Sequence, residues 1–471
     1  MAGSVQATPG FDLQPSSEQV ALSSNYITDF NFLSQYLPDT YEKEFERYGN
    51  RTVASFLRLV GAEMPSNSDL IKWAEQGRLH TKYVNCTISA LSSATTAVVT
   101  VGDVVVGSAV ATSIAVRVGQ TVMLTDNAGS ASHKALVTDV DTALGTFDVA
   151  FYAATVTAAA NLVYTMFIYG SEFKKGTNGM QGSVEAQDVY FENKPIILKD
   201  KYAVSGSDMA QIGWVEVATE NGANGYLWYL KSEHETRLRF DDYLETAMLE
   251  AVPAVANSGA AAELSTGSTA GSDGVFYSVA NRGNVWSGGN PTTLGEFDTM
   301  IQRLDKQGAI EENVLFVNRQ FGFDIDDMLA AQNSYGSGGT SYGLFDNDKD
   351  MALNLGFTGF RRGYDFYKSD WKYLNDPTMR GGLSTAGRVN GMLVPAGSTS
   401  VYDQVLGKNA KRPFLHVRYR ASETEDRRYK TWITGSAGGA NNSDLDAMEV
   451  NFLSERAVCT LGANNFFLFQ D

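Results

Sequence analysis

One long segment of the chain carries apolar side chains at helical spacing. Between residues 226 and 252 they recur at three- and four-residue steps, while charged residues occupy the other face. A cluster of Asn and Gly residues precedes this segment, and Pro253, whose ring cannot continue a helix, follows it. The pattern predicts a single helix roughly 40 Å long.

The segment before this helix, residues 170–217, is dominated by short strand-like runs. The runs lie at 184–191, 195–198 and 212–217. A two-stranded arm of this kind is marginal in water, so it needs a surface to lie on. We expect that surface to be a neighbouring copy of the same chain, because neither the arm nor the helix is predicted to bury itself within its own subunit.

Residues 84–168 differ from the rest of the chain in their pattern. They contain no Glu, and short runs rich in Val, Thr and Ala alternate with Gly- and Asn-containing turns. Short strands at nearly regular spacing predict a small β-sandwich or barrel. Because its ends border the extended arm, we interpret this segment as an inserted domain at the root of the arm.

The first 83 residues predict an extended arm followed by short helices. The helices are expected at 39–48, 51–60 and 67–76. Ser66 and Asp69 fit a weak capping box at the start of the third helix. Farther along, the Ala/Gly/Ser-rich residues 254–292 predict a long surface loop.

The carboxyl-terminal part of the chain predicts an α/β region followed by antiparallel sheet. Helices at 294–306 and 321–332 flank a strand at 313–318. Further strand-like runs lie at 353–357, 364–367, 392–394, 414–420, 429–434, 448–452 and 466–469. The chain as a whole is therefore expected to be α+β.

Composition limits the classes of function. The 471 residues include 37 basic and 54 acidic side chains, a net charge of −17. Such a charge disfavours sequence-independent binding of nucleic acid by the whole protein, although it does not forbid enclosing nucleic acid. No apolar run is long enough to span a bilayer, so no membrane partner is expected. The two cysteines, Cys86 and Cys459, predict reduced thiols rather than a disulfide framework.

The candidate catalytic and metal motifs are weak. His80, His133, His234 and His416 lie far apart, and Leu238 breaks the zinc pattern begun by His234 and Glu235. Asp346, Asp348 and Asp350 resemble the start of a calcium loop, but Met351 and Phe357 stand where Gly and Glu are required. A solvated acidic loop is the favoured interpretation, and no metal or cofactor is expected.

Ser341 lies within a GxSxG sequence, the pattern of a hydrolase nucleophile elbow. That elbow requires a strand before the serine and a helix after it, whereas a Gly/Ser loop precedes Ser341 and no helix is predicted to follow. We therefore expect no enzyme, and a serine hydrolase using Ser341 remains a minor alternative.

Three basic pairs stand out against the acidic background. They are Arg361-Arg362, Lys411-Arg412 and Arg427-Arg428, the last beside Glu423, Glu425 and Asp426. Mixed-sign clusters beside strands favour ion pairs between subunits over contacts with phosphate.

The order of segments resembles the major capsid protein of tailed bacteriophages, with the Hong Kong 97-type fold. Two stretches carry a closer resemblance to the capsid proteins of crAss-like phages, FLRLVGAEMPSNSDLIKWAEQGRLHTKY at 56–83 and NRQFGFDIDDMLAAQNSYGSGG at 318–339. The resemblance covers essentially the whole chain.

The resemblance implies a layout for the chain. The expected segments are an N-terminal arm at 1–83, an inserted all-β domain at 84–168, an E-loop at 169–217, the P-domain spine helix at 218–253, the A-domain mainly at 254–400, and C-terminal strands returning to the P-domain at 401–471. Some relatives join an E-loop lysine to an asparagine of another subunit. Lys174 and Lys175 lie in that loop, but no motif identifies a partner.

The resemblance also implies partners and a location. The chain would assemble with itself into hexamers and pentamers of an icosahedral head around double-stranded DNA, which it would contact without sequence specificity. Auxiliary head proteins, a portal and a separate scaffold protein are further expected partners, with assembly in the cytoplasm of the bacterial host. An alternative from another class is a surface-binding or adhesion module that acts through the inserted β-domain.

Overall fold

A computed structural model describes residues 56–57, 62–77, 82–89, 91–104, 114–127, 131–158, 163–183, 189–210, 217–218, 224–225, 228–264, 270–308, 310–333, 358–383, 387–403, 408–439 and 441–471. These residues form a mixed α+β structure. The strands are β1 Ala62–Ser66, β2 Ile71–Glu75, β3 Lys82–Ile88, β4 Leu91–Ala94, β5 Thr96–Thr100, β6 Asp103–Val104, β7 Gln120–Asp126, β8 Ser132–Asp141, β9 Thr146–Phe151, β10 Val156–Ala158, β11 Val163–Ser171, β12 Val189–Asn193, β13 Ile196–Ser205, β14 Val217–Ala218, β15 Asn224–Gly225, β16 Asn284–Trp286, β17 Glu312–Val317, β18 Gly359–Arg362, β19 Tyr364–Asp370, β20 Val389–Pro395, β21 Ser398–Asp403, β22 Lys408–Pro413, β23 Leu415–Arg420, β24 Lys430–Gly435, β25 Ala447–Thr460 and β26 Phe467–Gln470. The helices are α1 Gly206–Met209, α2 Trp228–Glu250, α3 Gly259–Leu264, α4 Val275–Arg282, α5 Leu294–Gln307, α6 Arg319–Asn333 and α7 Lys372–Asn375, with 3-10 turns at Arg380–Gly382 and Ala463–Asn465.

The described residues divide into two compact units. The smaller unit contains Leu198–Thr246 and Tyr429–Ser454. In it, β13 and β24 both pair with β25, and α2 packs on one face of these strands. Alternate residues of β25 face the helix because side chains of a strand point to opposite sides. The core consists of Val204, Phe240, Leu244, Met448, Val450 and Phe452.

The larger unit contains Phe56–Ile197, Ala247–Arg428 and Glu455–Asp471. Its first component is a closed antiparallel barrel. Strands β3, β5, β9, β8, β7 and β11 pair in that order, and β11 pairs back to β3. Alternating Val, Leu and Phe side chains fill the interior, in agreement with the period-two pattern of the sequence. The limits of an inserted domain at 84 and 168 remain predictions, because the barrel belongs to one compact unit with other elements.

The second component of the larger unit is a six-stranded mixed sheet in the order β16-β26-β20-β17-β19-β18. Helices α5 and α6 pack on it through Phe297, Leu304 and Phe321. Thr293 and Glu296 form a capping box at the start of α5, and the Asn318 side chain accepts a hydrogen bond from the Phe321 N–H at the start of α6. The predicted helices at 294–306 and 321–332 and the strand at 313–318 are thus confirmed with shifts of a few residues.

The prediction of a helix at 67–76 is wrong. Ile71–Glu75 is strand β2, paired antiparallel with β12. Ser68 Oγ accepts a hydrogen bond from the Leu70 N–H at 3.2 Å, so the polar residues form a turn rather than a helix cap. Of the predicted helix at 51–60, Phe56 and Leu57 are described and helical, and the helix at 39–48 lies outside the described residues.

The prediction of a surface loop at 254–292 is also wrong. Helix α4 lies within this range and buries Val275, Phe276 and Val279, and β16 joins the six-stranded sheet. The small residues permit close packing here: a Cβ on Gly274 would lie 2.6 Å from the carbonyl oxygen of Ala251. The carboxyl-terminal strands are not purely antiparallel, because β26 pairs parallel with β16 and antiparallel with β20.

Candidate assembly surface

Strands β2 and β12 form a two-stranded antiparallel ribbon, with Ile71 opposite Asn193 and Glu75 opposite Val189. Alternation of the side chains gives this ribbon two different faces. On the outer face Lys72, Ala74, Tyr190 and Glu192 are all exposed, and Tyr190 is 70% exposed. Lys72 Nζ lies 3.2 Å from Glu192 Oε2 across the strands.

The inner face of the ribbon is held by Arg282 at the end of α4. Its guanidinium carbon lies 5.5 Å from the ring centroid of Trp73 and 4.4 Å from that of Phe191. Nη2 donates to Thr460 Oγ1 at 2.8 Å, and Nη1 lies 3.7 Å from Glu75 Oε1. Burial lowers the pKa of Arg282, and the charge of Glu75 opposes that shift.

Asn193, the last residue of β12, holds one end of the ribbon. Its side chain is buried, and Oδ1 accepts hydrogen bonds from the Asp273 N–H at 2.8 Å and from Ser272 Oγ at 2.9 Å. Nδ2 donates to the carbonyls of Asp273 and Val458 at 2.9 and 2.6 Å. Both donors and both acceptor positions of the amide are therefore used, which fixes its orientation.

These contacts correct one expectation about the arm. Strand β12 pairs with β2, and β13 pairs with β25, so both find partners within their own chain. The third predicted run, 212–217, lies almost entirely outside the described residues. Contact of the ribbon's outer face with a neighbouring copy stays a prediction.

Residues 172–183, here called the extension, follow the barrel strand β11 and precede the ribbon strand β12 in the sequence. They are exposed except at Met180. The Glu172 N–H donates to the Gly119 carbonyl at 2.9 Å, and Arg117 Nη1 donates to the Gly182 carbonyl at 3.0 Å. Gly119 has a φ of 87°, and a Cβ there would lie 2.4 Å from the Phe173 ring. The two ends of the extension are thus fixed on the barrel while its middle faces solvent.

Lys174 and Lys175, the two lysines singled out in the sequence, both lie exposed in the extension. The Lys174 carbonyl accepts a hydrogen bond from Thr177 Oγ1 at 2.7 Å, which forms a local turn.

Both arginines of the Arg427-Arg428 pair have acidic partners within the same chain. Arg427 Nε lies 2.7 Å from Glu455 Oε2, and Arg428 forms an ion pair with Glu63 of β1. Arg456 Nη1 lies 3.5 Å from the same Glu63 carboxylate. The parallel pairing of β1 with β23 brings these charges together from distant parts of the sequence.

The Arg361-Arg362 pair is also satisfied within the chain. Arg361 Nε lies 3.0 Å from Asp365 Oδ1, and Arg362 Nη2 donates to Asp298 Oδ2 at 2.7 Å. The hydrogen bond from Arg362 lowers the pKa of the Asp298 carboxyl. The expectation of pairing between subunits is therefore wrong for these four arginines. The side chains of Lys411 and Arg412 lie outside the described part of the structure.

The candidate catalytic groups are not brought together where they are described. His416 is buried with Nδ1 3.3 Å from the Pro413 carbonyl oxygen, His133 lies beside the rings of Phe151 and Tyr164, and His234 is exposed on α2. His80, Ser341 and the aspartates 346, 348 and 350 lie outside the described residues.

Over the described ranges, no group of three or more His, Cys, Asp or Glu side chains could hold a metal ion. Cys86 and Cys459 are buried and form no disulfide, and burial raises the pKa of the Cys86 thiol. No helix in the described part of the chain is long and apolar enough to cross a membrane.

No family model and no curated protein matches the sequence. Similar solved structures include a chain of Microbacterium phage Oxtober96, at 10% identity and a TM-score of 0.39, covering 94% of this chain and 99% of that chain. A chain of the Cyanophage Pam1 capsid asymmetric unit has 12% identity and a TM-score of 0.36, covering 64% and 82%. A chain of the asymmetric unit of the bacteriophage PhiM1 mature capsid has 9% identity and a TM-score of 0.32, covering 64% and 78%. With TM-scores below 0.5, these similarities establish neither a shared function nor shared partners.

Sequence reasoning missed Arg282 and Asn193, the residues that fix the ribbon. Arg282 ends an amphipathic helical pattern, which is a usable signal for α4. The partners of both residues are remote in sequence: Glu75 lies about 200 residues before Arg282, and Val458 lies 265 residues after Asn193. A local sequence pattern does not predict contacts between residues so far apart in the chain.

Proposed function

We propose that this chain is the major capsid protein of a tailed bacteriophage, with the Hong Kong 97-type fold and closest to the capsid proteins of crAss-like phages. The sequence resemblance at 56–83 and 318–339 supports the family. The first of these stretches includes β1 and β2, so part of the resemblance falls on the ribbon itself.

The ribbon supports a role in assembly, because its inner face is fixed by Arg282 and Asn193 while its outer face is exposed. On that outer face Tyr190 is 70% exposed. Large side chains held on a rigid support lose little conformational entropy on binding and are suited to a contact between proteins. A repeated contact of this kind between identical chains builds a closed, symmetric particle.

In this proposal the segments keep the roles that the resemblance implies. Residues 1–83 are the N-terminal arm, 84–168 the inserted domain, 169–217 the E-loop, 218–253 the spine of the P-domain, and 254–400 mainly the A-domain, with the strands of 401–471 completing the P-domain. Hexamers and pentamers form the virion head after synthesis in the host cytoplasm.

The remaining partners follow from the same proposal. A separate scaffold protein assists assembly, and a portal and auxiliary proteins complete the head. The net charge of −17 suits a wall that encloses double-stranded DNA without binding it tightly or by sequence. The role is structural and requires no catalytic group or cofactor.

Electron microscopy of the purified, concentrated chain tests this function. We expect hexamers, tubes or closed shells in negative stain. Deletion of residues 176–190 removes most of the extension and the first two residues of β12, and we expect a soluble, folded chain that forms no closed shells. Sedimentation and circular dichroism control for solubility and folding. Normal shells from the deletion variant, or a wild-type chain that stays monomeric at every concentration, would contradict the proposal.

A further inference from the structure

A shallow groove lies on the barrel where β11 leads into the extension. Its volume is about 500 Å³, and it is wide open to solvent. The side chains that line it include Thr121, Lys134, Tyr152, Tyr169 and Glu172. A protein partner would need a contact of roughly 1,000 Å² or more, which a groove of this size does not supply by itself.

A β-bulge presents Tyr169 at this groove. The register of β11 on β7 shifts between Ile168, opposite Val122, and Gly170, opposite Thr121, so Tyr169 is the extra residue. Bulges commonly redirect a side chain near a functional site. Tyr169 is 47% exposed, and Lys134 Nζ lies 5.7 Å from its ring centroid.

Tyr152 supplies a second ring, which is exposed but fixed. Tyr152 is 52% exposed, while its hydroxyl donates a hydrogen bond to Glu172 and its backbone N–H donates to the Lys134 carbonyl at 3.1 Å. The hydrogen bond to Glu172 raises the pKa of Tyr152 to about 12.

We propose that this groove binds a neutral oligosaccharide. The two tyrosine rings offer flat apolar surfaces for the C–H faces of sugar rings, and tyrosine suits sites that are half apolar and half wet. Lys134, Glu172 and Thr121 supply a donor, an acceptor and a hydroxyl for sugar hydroxyls. The ammonium and carboxylate balance each other, so the groove has no excess positive charge to select an anionic chain. This binding is independent of the capsid role.

Pull-down of the full chain on polysaccharide beads tests the proposal. The probes are beads carrying starch, dextran, mannan or xylan, with heparin beads as an anionic comparison. We expect binding to at least one neutral polysaccharide, weakened about tenfold in the Tyr152→Ala/Tyr169→Ala double variant. Phe167→Ala is the matched control, since Phe167 is 41% exposed on the same strand.

The thermal unfolding midpoint of each variant should stay close to that of the wild type, because Tyr152, Tyr169 and Phe167 are all exposed. Failure to bind any neutral polysaccharide, undiminished binding by the double variant, an equal loss in Phe167→Ala, or equal binding to heparin would each overturn the proposal.

Discussion

The barrel and the ribbon, both in the larger unit, differ in how far their strands are paired and their faces are covered. In the barrel every strand of the ring has two neighbours, and Val99, Val122 and Val149 are completely buried inside it. The ribbon has two strands, only one of its faces is covered, and Tyr190 remains 70% exposed. The barrel is closed within the chain, whereas the ribbon is fixed on one face by its own chain and leaves its other face exposed.

The largest expected effect comes from opening the barrel core. Phe147 is 1% exposed, and Phe147→Ala should lower the free energy of unfolding by about 3–5 kcal/mol through the cavity that it leaves. Urea denaturation measures this change. Leu144→Ala, in a turn where the side chain is 68% exposed, is the control and should change stability by no more than about 0.5 kcal/mol. Equal effects of the two variants would mean that the barrel is not closed around this core.

A smaller, local effect is expected at the root of the ribbon. Arg282→Ala removes the hydrogen bond to Thr460 and the contact with Glu75, and should lower the opening free energy of the β12 amides by about 2 kcal/mol. Hydrogen exchange resolves β12 from the barrel strands, which should keep their protection. Arg361→Ala, with a side chain 74% exposed, is the arginine control. Loss of protection in the barrel as well would remove the distinction between the two regions.

The smallest effect concerns the join between the barrel and the extension. The pKa of Tyr152 is raised from 10.0 to about 12, mainly by the hydrogen bond to Glu172 and to a smaller extent by burial. A raised pKa in the folded state means that the bond's contribution is complete below pH 10 and is lost as pH rises through about 12. The phenolate absorbance of the wild type minus that of Tyr152→Phe gives the titration of this residue. A midpoint near the ordinary value would show that the bond is absent in solution.

Regular elements with strong local signals were predictable from the sequence. The helix expected at 226–252 is α2, Trp228–Glu250, because breakers flank a segment without Gly or Pro in which Phe240, Leu244 and Met248 are buried. The helices and strand of the α/β region were likewise located, since α5 has a capping box and an amphipathic period and β17 is a short, mostly apolar run. In contrast, β2 was mistaken for a helix, because a five-residue strand becomes stable only by pairing with β12 more than a hundred residues later.

The candidate surface was predictable only in outline. An extended segment beyond the barrel was expected, and Lys174 and Lys175 lie in it. The residues that fix the ribbon could not be found, because Arg282 and Asn193 act through contacts with distant segments. The four paired arginines show the same limit: charges that stand out in sequence had partners on strands or a helix of the same chain.

Sedimentation velocity of Tyr190→Glu tests most directly the claim that the ribbon's outer face joins copies of this chain. Tyr367→Glu is the matched control, since Tyr367 is a 53% exposed tyrosine on β19. We predict that Tyr190→Glu keeps the wild-type urea midpoint and sediments only as monomer under conditions where the wild type and the control assemble. Assembly of Tyr190→Glu at the wild-type level, or an equal defect in Tyr367→Glu, would contradict the claim.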